Sequence, residues 1–239
     1  MSDLLQIALV AEGPTDKVVI ESALQSLLAD REYVLIQLQP ERAAFGKLGA
    51  GWSGVYQWCR QAVRRSKSLR QDIVLTSFDV LIVQLDADVA EKRYQDAGID
   101  DSDDDLPCVR PCPPPSATTD ELRQILLRWM GEKAIPSRVV ICTPSKSLES
   151  WVIAALHPED KIVKAGELEC RPEPEALLVS KPSSERLVRR KGTGYHKQLD
   201  RYENRATDFQ KAWPSVRKTC TEADRFSIDF LNAISSAEK

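Results

Sequence analysis

Short apolar runs that end at turn residues alternate, over the first two thirds of the chain, with segments whose apolar positions recur at helical spacing. The apolar runs predict four buried strands, at residues 4–10, 33–38, 78–85 and 138–142. The helical spacing predicts helices that begin near Thr15 or Asp16, at Val55, near Thr118 or Thr119, and at Leu148. This alternation is typical of a mostly parallel sheet with helices on both faces, so we predict an α/β, Rossmann-like fold.

Two segments interrupt the alternation and are predicted to be irregular. Residues 43–54 contain four glycines, which favour a loop. Residues 91–116 hold five prolines and a cluster of aspartates that includes Asp96, Asp100 and Asp105. Loops as long as this second segment are usually functional or mobile, so it is a candidate functional element.

Beyond residue 157 the strand signals fade and charged helical stretches dominate, including one over residues 195–213. We therefore predict an α/β domain over residues 1–157 and a helical, basic extension, packed on it, over residues 158–239.

Composition adds limits to this picture. The chain has 239 residues, of which 42% are hydrophobic and 29% charged, as in ordinary globular proteins. Without a long apolar run or a secretory signal, we expect a cytoplasmic protein that does not cross a membrane. Six dispersed cysteines in such a chain are expected to be reduced. Cys108 and Cys112 lack a second pair of ligands at comparable spacing, so zinc is not expected.

Charge is unevenly distributed along the chain. The formal net charge is −3, but residues 181–218 contain eleven basic and four acidic residues and so carry a net charge of +7. A basic segment of this kind is a candidate contact for phosphate backbones, whereas composition alone slightly favours a solvated helical surface.

Within the basic segment, a glycine-containing stretch combines positive charges with an aromatic ring. It is predicted to be a loop that grips nucleic acid through phosphate contacts and stacking. The alternative is an exposed linker. The candidate nucleic-acid-binding residues are Arg189, Arg190, Lys191, Tyr195 and Lys197.

Carboxylates follow two of the predicted strands directly. Glu12 comes after the first strand, and Asp86 and Asp88 come after the third. Since ligands of parallel α/β sheets bind beyond the carboxyl ends of the strands, these side chains are predicted to meet at one edge. The D-x-D spacing on an extended loop would let both aspartates reach one side. Clustered carboxylates repel each other unless a cation joins them, so we predict bound Mg²⁺ or Mn²⁺. Taken singly, Glu12 and Asp16 have a simpler explanation as solvated acids at a helix start, and Asp86 as a helix cap.

The fourth strand is followed by further candidates at the same edge. Lys146 could neutralise a scissile phosphate, and Glu149 could join the metal ligands. Alternatively, Ser147 caps a helix and Glu149 is an acid of its first turn.

The sequence from Glu12 to Asp16 (EGPTD), followed about 70 residues later by LDAD at residues 85–88, resembles the TOPRIM domain. This domain occurs in topoisomerases, primases, OLD nucleases and small bacterial proteins, and the likeness covers roughly residues 4–157. The resemblance implies that Glu12, Asp86 and Asp88 bind Mg²⁺, with Asp16 as the additional acid of OLD-like members. It differs in one respect, because many TOPRIM proteins have a glycine three residues after the second aspartate and this chain does not.

The resemblance to OLD-like nucleases implies a Mg²⁺-dependent nuclease that hydrolyses phosphodiesters. It also implies an ATPase partner and, by analogy, a role in defence against phages and mobile elements. One alternative is a module that keeps the fold and binds nucleic acid or a partner without catalysis. Another is a D-x-D phosphatase with Asp86 as nucleophile, although that class expects threonine where this chain has Ala90.

Overall fold

In a computed structural model of the chain, residues 4–29, 31–41, 48–100 and 105–237 are described. Four strands form the central sheet: β1 (Leu5–Val10), β2 (Tyr33–Gln39), β3 (Val80–Gln84) and β4 (Val139–Cys142). They lie in the order β2-β1-β3-β4, and every neighbouring pair is parallel. The predicted α/β class with a parallel sheet is confirmed.

Helices flank the sheet and continue beyond it. Within the first two thirds of the chain they are α1 (Pro14–Leu28), α2 (Gly51–Arg65), α3 (Ser116–Trp129) and α4 (Glu149–Leu156). The remaining helices are α5 (Lys161–Lys164), α6 (Pro174–Val179), α7 (Leu199–Asn204), α8 (Ala206–Thr219) and α9 (Thr221–Ala237).

The order of the strands places a switch point between β1 and β3. From β1 the chain first moves outward to β2 and then crosses to the other side of β1 to form β3 and β4. Crevices outside the carboxyl ends of the strands at such a point are the usual binding sites of α/β sheets. The loops that follow β1 and β3 meet at this position.

Each face of the sheet is covered by a separate hydrophobic core, because successive side chains of a strand point to opposite faces. Ile7 and Leu9 of β1 face a core built with α1, α4, α8 and α9. Ala8 and Val10 face a second core built with α2 and α3. Burial on both faces explains why β1, β3 and β4 are nearly continuous apolar runs, whereas β2, at the edge of the sheet, is partly exposed. The C-terminal helices share the first core with the sheet.

Several local predictions need correction. Helix α1 starts at Pro14 with Gly13 as its N-cap, so Thr15 and Asp16 lie buried inside its first turn and do not cap it. Proline suits a first helical position because its missing N–H has no partner there. The predicted loop at 43–54 gives way to α2 at Gly51, and residues 42–47 lie outside the described residues.

The C-terminal segment is predicted to be helical, but the structure shows that it is only partly so. Residues predicted as a basic loop form an antiparallel hairpin of β5 (Val188–Lys191) and β6 (Gly194–Lys197). The helical stretch predicted from residue 195 begins only after this hairpin and is divided into α7 and α8. Each strand has four residues, most of them polar or charged, so the sequence shows no alternation of apolar and polar positions that would distinguish a strand from a loop.

The expectation of reduced cysteines is wrong at one pair. Cys112, in the long proline-rich segment, forms a disulfide with Cys170, and their Cα atoms lie 5.3 Å apart. Cys108 is exposed and free. The disulfide ties the proline-rich segment to residues that follow α5, beside the Ser145–Lys146 turn.

Of the helices in the described part of the chain, none has both the length and the apolar character needed to cross a bilayer.

Candidate functional site

Three polar side chains join the carboxyl ends of β1 and β3. The backbone N–H of Glu12 donates to Gln84 Oε1 at 3.0 Å, and Gln84 Nε2 donates to Asp86 Oδ1 at 2.8 Å. The backbone N–H of Asp86 in turn donates to Glu12 Oε1 at 2.7 Å. Gln84 is fully buried, so this ring of contacts holds the two loops in a fixed relation. It is the only polar residue of an otherwise apolar strand, a signal that the sequence analysis did not use.

Two further acids lie close to this ring. Asp16 is buried in the first turn of α1, and Glu149 is the buried first residue of α4. The loop before α4 is tied to the ring because Leu148 N–H donates to Asp86 Oδ1 at 3.2 Å. The structure therefore brings Glu12, Asp16, Asp86 and Glu149 to one edge of the sheet, from elements that begin or end there.

A lysine of the hairpin reaches into this group of acids. Lys197 Nζ lies 2.8 Å from Glu149 Oε2 and 3.6 Å from Asp16 Oδ1, and about 27% of its side chain is exposed. Sequence analysis assigned Lys197 to phosphate binding because it belongs to a basic run. Its ion pairs place it in the acidic cluster, which hereafter denotes Glu12, Asp16, Asp86 and Glu149.

A buried tyrosine completes the surroundings of Glu149. The hydroxyl of Tyr202, in α7, donates to Glu149 Oε1 at 2.9 Å, so both oxygens of this carboxylate have a partner. Nearby, Ser147 Oγ donates to Glu175 Oε1 at 2.7 Å and does not cap α4. Sequence analysis missed Tyr202 and Glu175, which lie in segments without any catalytic motif.

The excess of negative charge in the acidic cluster shifts its pKa values. Burial, together with the charges of Asp88 and Asp16, raises the pKa of Glu12 to about 8. Burial and the charge of Glu12 raise the pKa of Asp86 well above its ordinary value. Burial also raises the pKa of Asp16, although the Lys197 ammonium partly opposes it. In each case burial makes the charged form costly, and neighbouring negative charges add to that cost.

The ion pair with Lys197 reverses this trend at Glu149. Burial by itself would raise the pKa of Glu149, but the ammonium and the hydrogen bond from Tyr202 outweigh it, and the pKa is lowered. Burial would lower the pKa of Lys197, yet the charges of Glu149, Asp16 and Asp86 raise it well above its ordinary value. Both partners are therefore charged at neutral pH.

Asp88 occupies a different position from the one its motif suggested. It lies in a short 3₁₀ helix over Ala87–Glu91 and not on an extended loop. Its side chain is about 45% exposed and pairs with Lys92 at 3.4 Å. Its charge nevertheless acts on the site, because it contributes to the raised pKa of Glu12.

The other candidates lie at the margin of the site or outside it. Lys146 Nζ pairs with Glu91 Oε1 at 2.5 Å, and its backbone has a positive φ of 62°. Arg189, Arg190 and Lys191 are exposed on β5. The guanidinium of Arg190 lies 5.4 Å from the centre of the Tyr195 ring, in a cation–π contact.

The donor chemistry of the acidic cluster suits a hard divalent cation, which prefers carboxylate oxygens. Across the described ranges, however, no three Asp, Glu, His or Cys side chains are gathered closely enough to hold a metal ion. Two of the acids already have other partners: Asp86 Oδ1 accepts two hydrogen bonds, and Glu149 pairs with Lys197. A cation would bind here in competition with the ammonium of Lys197.

Comparisons of the chain with models of protein families, with curated proteins and with solved structures found no match in any of the three. The resemblance to TOPRIM proteins therefore remains a prediction from the motifs around Glu12 and Asp86.

Proposed function

We propose that this chain is a Mg²⁺-dependent nuclease of the TOPRIM type, which hydrolyses phosphodiester bonds of nucleic acid. The observation that carries the proposal is the acidic cluster at the switch point of the parallel sheet. Four carboxyl groups from separate elements share one edge of the sheet with the Lys197 ammonium, so acidic groups outnumber basic ones there. A divalent cation would balance the carboxylates once they lose their protons.

In this proposal Glu12, Asp86 and Asp88 hold the metal, with Asp16 as a further ligand; Mn²⁺ is an alternative ion. Bound there, the metal would neutralise phosphate oxygens and lower the pKa of an attacking water. The raised pKa of Glu12 supports this role, because a carboxyl poised near neutrality gives up its proton readily when a cation arrives.

The chain's own residues would orient the reacting groups. Gln84 fixes the distance between the Glu12 and Asp86 loops, and Tyr202 fixes Glu149. The Lys197 ammonium, which is partly exposed, can offer a hydrogen bond to a non-bridging phosphate oxygen. Lys146 is tied to Glu91 and would reach a phosphate only after leaving that ion pair.

The test is cleavage of labelled single- and double-stranded DNA and RNA in the presence of Mg²⁺ or Mn²⁺. We expect cleavage by the wild-type protein and its loss, by at least about a hundredfold, in Glu12→Gln and Asp86→Asn. Glu159→Gln is the matched control, since Glu159 is an exposed acid that pairs with Lys164. Equal activity in Glu12→Gln and Glu159→Gln would contradict the proposal.

A second candidate function is binding of nucleic acid without hydrolysis, by a module that retains the fold. The observation that favours it is the ammonium of Lys197 inside the acidic cluster, where it takes up charge that a metal would otherwise neutralise. Binding of oligonucleotides with no cleavage under any metal would establish this candidate. The ATPase partner implied by the resemblance is part of the same proposal, and co-purification from the native host would test it.

A further inference from the structure

The hairpin that supplies Lys197 presents a second functional feature on the same face. In an antiparallel pair, directly opposed residues share a face, and so do residues two positions apart along a strand. Val188 is opposite Lys197, and Arg190 is opposite Tyr195. These four residues therefore lie on one face, whereas Arg189 lies on the other.

Along this face the hairpin changes from a buried to an exposed environment. Val188 is fully buried in the first core, Lys197 enters the acidic cluster, and Tyr195 is half-buried against the core. Arg190 is exposed, and its guanidinium carbon lies over the Tyr195 ring, 5.4 Å from the ring centre. Two residues of a strand span about 7 Å, so the Arg190–Tyr195 pair lies roughly one nucleotide of an extended strand away from Lys197.

Two contacts restrain the Arg190–Tyr195 pair. The Tyr195 hydroxyl donates to Glu173 Oε2 at 2.9 Å, which restrains the ring, and the ring attracts the guanidinium by a cation–π contact. Because Arg190 is exposed, its planar, charged guanidinium remains accessible to a ligand. Bases that are not stacked in a duplex bind such guanidinium planes.

We propose that Arg190, held by Tyr195, is a stacking platform for an unpaired base next to the phosphate that lies at the acidic cluster. The substrate class is therefore single-stranded nucleic acid, or a duplex with an unpaired nucleotide at that position. A base within a continuous duplex is stacked on both sides and cannot use the platform. This inference rests on the proposed nuclease function for the position of the phosphate, but the platform can be tested separately.

The test measures binding of a single-stranded 12-mer, and of a blunt duplex of equal length, by fluorescence anisotropy. Ca²⁺ replaces Mg²⁺ so that binding is measured without cleavage. Because stacking of a base on a side chain contributes to single-strand affinity, Arg190→Ala is expected to weaken single-strand binding about tenfold. Arg190→Lys keeps the charge but loses the planar group, and should weaken it several-fold. Arg189→Ala is the matched control: it removes the same charge from the adjacent residue on the opposite face.

Preferential binding of the single strand, lost in both Arg190 variants and retained in Arg189→Ala, would support the platform. Equal losses in Arg189→Ala and Arg190→Ala would overturn it, because charge alone would then explain the binding.

Cleavage assays separate this result from the fate of the proposed function. If Arg190 governs single-strand binding but Mg²⁺ and Mn²⁺ support no hydrolysis, the platform stands and the nuclease proposal fails. If the wild-type protein cleaves duplex and single strand equally, and Arg190→Ala does the same, the nuclease proposal stands and the platform is refuted.

Discussion

The ion pairs of Lys197 give the sharpest prediction about the metal-free protein. Replacement by methionine keeps the length and apolar stem of the side chain and removes the charge. At an effective dielectric constant of about 20, charges separated by 2.8 and 3.6 Å attract each other by roughly 6 and 5 kcal/mol. The cost of removing the ammonium from water offsets several kcal/mol of this attraction.

Removal of one partner of a buried ion pair typically costs ~3–5 kcal/mol, and the partial exposure of Lys197 moves the value to the lower end. We therefore expect Lys197→Met to lower the free energy of unfolding by about 3 kcal/mol at pH 7.5 in EDTA. This corresponds to a decrease in Tm of about 6–12 °C. The contribution is fully present at this pH, because the raised pKa of Lys197 means that it is lost only at higher pH.

The assay is urea unfolding followed by tryptophan fluorescence, with Lys191→Met as the control. Lys191 is exposed on the same hairpin, and its replacement should change stability by less than about 0.5 kcal/mol. Millimolar Mg²⁺ should stabilise Lys197→Met more than the wild type, since the cation no longer competes with the ammonium. Equal stability of the two variants in EDTA would refute the assignment of Lys197 as the counter-ion of the cluster.

Three further predictions concern the same region. Because the pKa of Glu12 is raised to about 8, the metal-free fold loses stability as pH rises from about 4.5 to about 8. Mg²⁺ should bind more tightly over the upper part of this pH range, and its binding should release protons. Calorimetry in buffers of different ionisation enthalpy measures this release, and a binding heat that does not depend on the buffer would contradict the raised pKa of Glu12. Tyr202→Phe leaves a buried oxygen of Glu149 without its donor and should cost about 1–3 kcal/mol in urea unfolding, whereas an unchanged midpoint would contradict the contact. The Cys112–Cys170 disulfide spans 58 residues, so the double serine variant should be less stable than the oxidised wild type by up to about 4 kcal/mol. If a reducing agent leaves the stability of the wild-type protein unchanged, the disulfide is contradicted.

The sheet could be predicted from the sequence because β1, β3 and β4 are almost entirely buried on both faces. Residues such as Ile7, Leu9 and Val83 all enter one core or the other, so the pattern is a simple apolar run that ends at a polar residue. The ends of these runs also identified Glu12 and Asp86. Their approach follows from a general property of parallel sheets and needs no knowledge of the side chains.

The remaining features depend on contacts between distant parts of the chain. Lys197 lies in a basic run, and nothing local distinguishes a lysine that pairs with Glu149 from one that is exposed to solvent. Cys112 and Cys170 are 58 residues apart, and sequence alone does not determine which cysteines pair. Asp88 was misplaced because its two-residue spacing from Asp86 was interpreted as extended backbone, whereas the chain turns there.

The position of Lys197 in the chain has a consequence for how the protein is made. The ribosome synthesises Glu12, Asp16, Asp86 and Glu149 before the lysine that pairs with Glu149 and Asp16. Until the last third has been synthesised, one side of the sheet also lacks α8 and α9. The nascent α/β segment therefore has an acidic cluster without its lysine and an apolar surface without its cover, and the hairpin and the final helices supply both.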